Sequence, residues 1–183
     1  MILVCSVTEY ALIQFMNTGT YMKGSKMYIQ LEFDEINKSP ECAVYANNEL
    51  LYTGQVMNNI NVNYETQGSV ELAIEFTNKS PRDTLVDSKG IIVEDKNFTL
   101  TKITIDYYDL EELVWESNYV ANDGNVYPSC LFFGPPGKFI INLENPILPW
   151  FVQKTKHKYN GDLPNWEEDY RYYYTACNLL KQI

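Results

Sequence analysis

Two groups of side chains have types and spacings that could do chemistry. The first is aromatic and amide-rich. Trp115, Tyr119 and Tyr127 flank the run Asn122-Asp123-Gly124-Asn125. An aromatic ring can cover the apolar face of a sugar while Asn and Asp bond its hydroxyls, the usual mixture of apolar body and a few placed polar groups. Trp115, Tyr119, Asn122, Asp123 and Tyr127 are therefore the candidate carbohydrate contacts. The plainer alternative puts Trp115 and one tyrosine of each pair in the core, the commoner fate of a single aromatic where 14% of residues are aromatic. Tyr107 and Tyr108 form a similar pair at a strand end.

The second group is rich in oxygen. Asp83, Asp87, Asp95 and Asp123, with Asn78, Asn97, Asn122 and Asn125, offer hard donors of the kind calcium takes. None has EF-hand spacing. Asp and Asn are also ordinary turn formers.

Catalytic arrangements are scarce, and the chain reads as a non-enzyme. Its one histidine, His157, sits inside Lys-Thr-Lys-His-Lys, a solvated context. No GxSxG, HExxH or P-loop pattern occurs. Gly134-Pro135-Pro136-Gly137-Lys138 lacks phosphate-loop spacing, and its prolines remove backbone donors. With 24 acidic residues, a glycosidase carboxylate pair cannot be singled out.

The elements that must position these residues alternate with period two. Met27, Ile29, Leu31 and Phe33 share one face; so do Ile60, Val62 and Tyr64, and Val70, Leu72, Ile74 and Phe76. Such alternation predicts antiparallel sheets with one wet face. Glu65-Thr66-Gln67-Gly68 reads as a hairpin, Asn47-Asn48 and Asn122 to Asn125 as turns, and Gly134 to Gly137 as a break between strands. About ten strands are expected between residues 2 and 152, beginning in the apolar N-terminus, which lacks the basic region of a signal peptide. Asn165 and Glu168 form a capping box for a C-terminal helix whose stripe is Trp166, Tyr170, Tyr173, Cys177 and Leu180, although Tyr172 to Tyr174 also suit a strand. The expected division is a sandwich over 1–152 and a packing or assembly segment over 153–183.

Bulk properties narrow the partners. The 183 residues carry a formal charge of -10, which disfavours nucleic acid. No apolar run approaches a membrane span. Cys5, Cys42, Cys130 and Cys177 have no CxxC spacing and sit among apolar neighbours, so free buried thiols are expected rather than zinc or disulfides. Asn, Lys, Ile and Tyr are plentiful while Arg occurs twice, a bias of AT-rich genomes such as those of low-GC bacteria and their phages.

One stretch carries a family pattern. Gly68 precedes the strand Val70 to Phe76, followed by Thr77-Asn78. Asp95-Lys96-Asn97-Phe98 then leads into Lys102-Ile103-Thr104-Ile105-Asp106, and Ala46-Asn47-Asn48-Glu49-Leu50 with Gly54-Gln55 lies upstream. Residues from about Met27 to Asp106 thus resemble the calcium-dependent, xylan-binding type of carbohydrate-binding module. The resemblance implies an all-β antiparallel jelly-roll β-sandwich, here with a short C-terminal helix, and glycan binding without catalysis. It implies either calcium at the pattern positions Asn78, Asp95 and Asn97 or a structural role for them, holding the loop between two strands. Lys79 stands where that family has Asp, placing a cation where an anionic ligand is expected. Residues 107–183 lie outside the resemblance.

The leading expectation is a glycan-binding domain, virion-borne (a head decoration or tail protein) or otherwise extracellular. The rival is a purely structural assembly protein using the jelly roll as a building block, with other virion proteins or itself as partner. A small glycan-active enzyme is a third.

Overall fold

Alternation becomes strand throughout the computed structural model, which describes residues 25–66 and 68–155. The strands are β1 (Ser25–Asn37), β2 (Glu41–Ala46), β3 (Glu49–Gln55), β4 (Asn59–Thr66), β5 (Gly68–Phe76), β6 (Leu85–Val86), β7 (Ile92–Glu94), β8 (Asn97–Ile105), β9 (Tyr108–Asp109), β10 (Asn118–Ala121), β11 (Val126–Pro128), β12 (Phe132–Phe133) and β13 (Gly137–Asn145). One helix follows, α1 (Ile147–Thr155), and short 3-10 turns cover Pro81–Asp83 and Glu111–Glu116.

Two antiparallel sheets form the sandwich. The first runs β12-β8-β1-β4, with β9 also on β8; the second runs β11-β10-β13-β5-β2-β3. β6 and β7 form a separate hairpin. The expected all-β antiparallel sandwich is what the chain adopts. Among the described residues no helix is long and apolar enough to cross a membrane.

The core lies between the two inner faces. Met27, Ile29, Leu31 and Phe33 from β1, and Phe98, Leu100, Ile103 and Ile105 from β8, are buried on one side. Val70, Leu72, Ile74 and Phe76 from β5, with Phe139, Ile141 and Leu143 from β13, are buried on the other. Burial of apolar area on this scale is the main driving force for sheet-on-sheet packing. Phe98 is its hinge point. Its ring centroid lies 5.7 Å from Phe33, 5.1 Å from Phe76 and 4.3 Å from Phe133, two edge contacts and one stack.

β8 breaks its period once. The register with β1 shifts between Glu32 and Phe33, so Thr101 is an extra, exposed residue. This bulge lets Leu100 and Ile103 both point inward although they are three apart.

Two expectations change. Glu65 to Gly68 is not a hairpin: β4 belongs to the first sheet and β5 to the second, so this turn carries the chain across the core. β4 pairs with β1 while β5 pairs with β13 and β2, and Gly68, at φ +82, permits the sharp change of direction. The chain after β13 is helical, not strand, up to and past residue 152. Ile147, Trp150, Phe151 and Lys154 follow helical spacing, and Ile147 and Trp150 are buried. The expected helix over 165–180, the first strand near Met1, His157, Cys5 and Cys177 lie outside the described residues. Cys42 and Cys130 are free thiols, the first buried, the second half-buried.

Asn47 and Asn48 form the β2–β3 turn as read, both at positive φ (48° and 66°), the geometry of a tight hairpin. The Asn47 side chain also accepts from the Glu71 N–H at 2.8 Å, tying this turn to β5.

Gly137 marks the closest backbone approach. A Cβ there would sit 2.5 Å from the Val120 carbonyl oxygen and 2.8 Å from the Ala121 Cα. Gly137→Ala is expected to force β10 from β13 at a cost of about 1–3 kcal/mol, the scale of overpacking. Denaturant melts check the loss of stability, and faster amide exchange at residues 118–121 checks its place.

Candidate functional site

The second sheet's pairing fixes what its ends display. Ala121 pairs with Gly137 and Lys138 with Glu75, so the 122–125 turn lies at the same end of the sheet as the exit of β5 at Phe76. The loop joining β5 to β8 also leaves from this end.

That loop holds the expected metal positions, and its side chains are already engaged. Asn78 Oδ1 accepts from the Glu41 N–H at 2.8 Å, and its Nδ2 donates to the Ser39 carbonyl at 3.2 Å. Asn97 Oδ1 accepts from Asn37 Nδ2 at 2.8 Å. Asp95 Oδ1 accepts from the Lys79 ammonium and from the Thr84 hydroxyl at 2.5 Å. Lys79 Nζ donates also to the Lys96 carbonyl at 2.7 Å, and its side chain is 5% exposed. Asn78, Asp95 and Asn97 therefore do not fit a calcium ion. Calcium takes six to eight oxygens at about 2.3–2.6 Å, whereas these oxygens turn toward N–H and O–H donors. Of the two expected roles, these bonds are those of loop fastening. Among the described residues, no group of three His, Cys, Asp or Glu could hold a metal ion.

Lys96 mirrors Lys79. Its Nζ lies 3.1 Å from Asp83 Oδ1 and donates to the Asn78 carbonyl at 3.2 Å. Asp83 Oδ2 in turn accepts from the Ser80 N–H and hydroxyl, both at 2.8 Å. These Ser80 bonds, with Lys96, bring the Asp83 carboxyl down to about 2. Burial pushes Asp95 up, but hydrogen bonds from Lys79, Thr84 and Asn97, and the Lys79 charge, outweigh it and hold the group below its ordinary value.

The candidate sugar contacts do not form one surface. Tyr119 is fully buried, its ring 5.1 Å from Phe133 and its hydroxyl donating to the Pro135 carbonyl at 2.5 Å. It is a core residue that pins the 134–136 loop and offers no face to a ligand, so its expected sugar contact is corrected. Its cross-strand partner Tyr127 lies on the edge strand β11 and is 43% exposed. Asp123 accepts from the Asn125 N–H at 3.0 Å and from Asn125 Nδ2 at 2.8 Å, shaping the exposed turn. Asn122 donates its N–H to the Pro136 carbonyl at 2.9 Å. Trp115, 56% exposed, stands before the start of β10, so the four residues of that strand separate it from the turn by about 13 Å. Tyr107 is 88% exposed, whereas Tyr108 packs 5.6 Å from Phe151.

Two features escaped the sequence reading. The first is a cleft of about 220 Å³ lined by Leu100, Thr101, Lys102, Ile103, Glu111, Val114 and Leu131. It opens on the outer edge of β8 between β12, which pairs with Phe98 and Thr99, and β9, which pairs with Thr104 and Ile105. Trp115 follows Val114 on the same helical turn. The only sequence signal was the broken period at Thr101. The second feature is the β6–β7 hairpin. Leu85, Val86, Ile91, Ile92 and Val93 are each about half exposed or more, although their composition alone would place them in a core.

No family model and no curated protein matches the chain. Two solved structures are similar to part of the chain. One is the selenomethionine form of vCBM60, described with a circular permutation linking two families of calcium-dependent carbohydrate-binding modules. It is 10% identical, covers 63% of this chain and 89% of its own, and superposes with a TM-score of 0.45. The other is vCBM60 in complex with galactobiose, at 12% identity, 65% and 100% coverage, and a TM-score of 0.39. So distant a likeness says nothing about ligands.

Two outcomes are expected here. A carboxylate held below its unfolded value adds stability above that value and loses it as pH falls through the folded one. The loop should therefore stay closed above about pH 4 and loosen toward pH 2, as its two low-titrating carboxyls protonate. Pepsin cleavage within residues 80–95, compared with cleavage elsewhere across that range, measures this. Burial also lifts the Cys42 thiol to about 12, so a thiol reagent at neutral pH should leave Cys42 unmodified in the native protein and label it once unfolded.

Proposed function

We propose that the chain is a non-enzymatic glycan-binding domain. The observation carrying this reading is Trp115, a half-exposed indole next in the chain to Val114, which lines a cleft with an apolar floor and a polar rim. Leu100, Ile103, Val114 and Leu131 supply the floor, and Thr101, Lys102 and Glu111 the rim. An aromatic face beside a few convergent polar groups suits a ring that is apolar on its faces and hydroxylated at its edge. Tyr127 on β11, and Asn122 and Asp123 in the turn at the tip of the same hairpin, offer further contacts beyond Trp115, so an extended chain of sugars fits better than a single residue. Tyr119 supports this hairpin from beneath. Such a domain works where glycans are displayed, outside a cell or on a virion surface. The resemblance over residues 27–106 supports the same reading, without the calcium it implies.

The exposed β6–β7 hairpin favours a second reading, a structural assembly module such as a virion component. Five large aliphatic side chains on a hairpin with open edges form the kind of patch that mediates protein contacts.

A glycan array on the full chain, repeated with Trp115→Ala and Tyr127→Ala, tests the first reading. Binding in EDTA, weakened about thirtyfold or more by Trp115→Ala with the fold intact, is expected, the scale of a central aromatic anchor. No binding to any glycan would sink it. Mass photometry of the wild type and Ile92→Lys tests the second: assemblies that dissociate in the variant support it, and a monomer throughout contradicts it.

A further inference from the structure

Asp95, one of the expected calcium positions, is held by a lysine ammonium instead. We propose that Lys79 supplies from within the chain the positive charge that closes this end of the sandwich, and that the β5–β8 loop works without a metal ion. The proposal does not depend on what the domain binds.

Three observations support it. The Lys79 ammonium is 5% exposed, a position that an unpaired charge does not tolerate. Its acceptors, Asp95 Oδ1 and the Lys96 carbonyl, are an anionic and a backbone oxygen from one short segment, the donor types that hold a hard cation. The arrangement is also reciprocal. Lys79, just after β5, reaches the carbonyl of residue 96, while Lys96, just before β8, reaches the carbonyl of residue 78. Each lysine carries its own carboxylate, Asp95 for Lys79 and Asp83 for Lys96. Two cations and two anions thus close the neck of the loop with no net charge left for a divalent ion. The neck is the base of the β6–β7 hairpin, so these bonds decide where that apolar hairpin stands.

Thermal melts of the full chain, after EDTA and in millimolar calcium chloride, give the first test. The wild-type midpoint should be the same in both; a fall in EDTA that calcium reverses would overturn the proposal. The second test is a cycle of Lys79→Met, Asp95→Asn and the double variant. Each single change strands a buried partner and should lower the midpoint by roughly 6–20 °C, with faster proteolysis inside residues 80–95. The double variant should lose no more than the worse single. Additive losses, or unchanged proteolysis, would contradict the assignment. Should Lys79→Met fail to fold, the cycle of Lys96→Met with Asp83→Asn reads the mirrored half, and the wild-type melts stand by themselves.

Discussion

The contact between Phe76 and Phe98 governs the arrangement of everything around it. Phe76 is the last residue of β5 in one sheet, and Phe98 lies at the start of β8 in the other. Their edge-to-face packing joins the two sheets at one end and fixes where the chain emerges on either side. Lys79 lies three residues after the first ring and Asp95 three before the second. The lysine clasp is therefore a consequence of core packing: the rings bring the two segments together, and the charges close the gap between them. The same packing places Phe133 on Phe98, and Tyr119 against Phe133, so the core continues to the foot of the β10–β11 hairpin.

A buried ion pair is weak evidence of added stability, since desolvating both charges offsets much of their attraction. Its value here is specificity. The β5–β8 loop carries exposed aliphatic side chains that gain nothing from standing where they do. An apolar hairpin on a slack loop would fold back onto the sandwich or onto another copy. A neck with matched charges and reciprocal carbonyl bonds allows one geometry and penalises the others. The acidic surface outside it is left free to keep the chain dispersed.

Much of the sandwich was legible in the residues. Period-two alternation picked out the inward faces of β1, β4 and β5 because a pleated strand alternates whatever it pairs with. Pairing itself was not legible. The turn at residues 65–68 has hairpin composition, yet it crosses between sheets, because local composition reports a change of direction and not the sheet that receives the chain. Tyr119 and Tyr127 face each other across a turn and look equivalent in sequence. Only the edge position of β11 exposes one while the core takes the other. Lys79 was visible as a misplaced charge. That it would reach the carbonyl of residue 96, and that Lys96 would answer it, depended on two rings meeting across the core. The cleft beside β8 arises from a bulge and two short edge strands, features that composition does not record.

A lysine ammonium holds Asp95, one of the three positions expected to bind a metal. The most direct measurement is nitrogen-detected NMR of the lysine ammonium groups, with Lys79 assigned by the loss of its signal in Lys79→Arg. A slowly exchanging Lys79 signal that responds to Asp95→Asn and is unchanged by EDTA or calcium is expected. A Lys79 ammonium that exchanges with water as fast as an exposed lysine, or shifts when calcium is added, would contradict it.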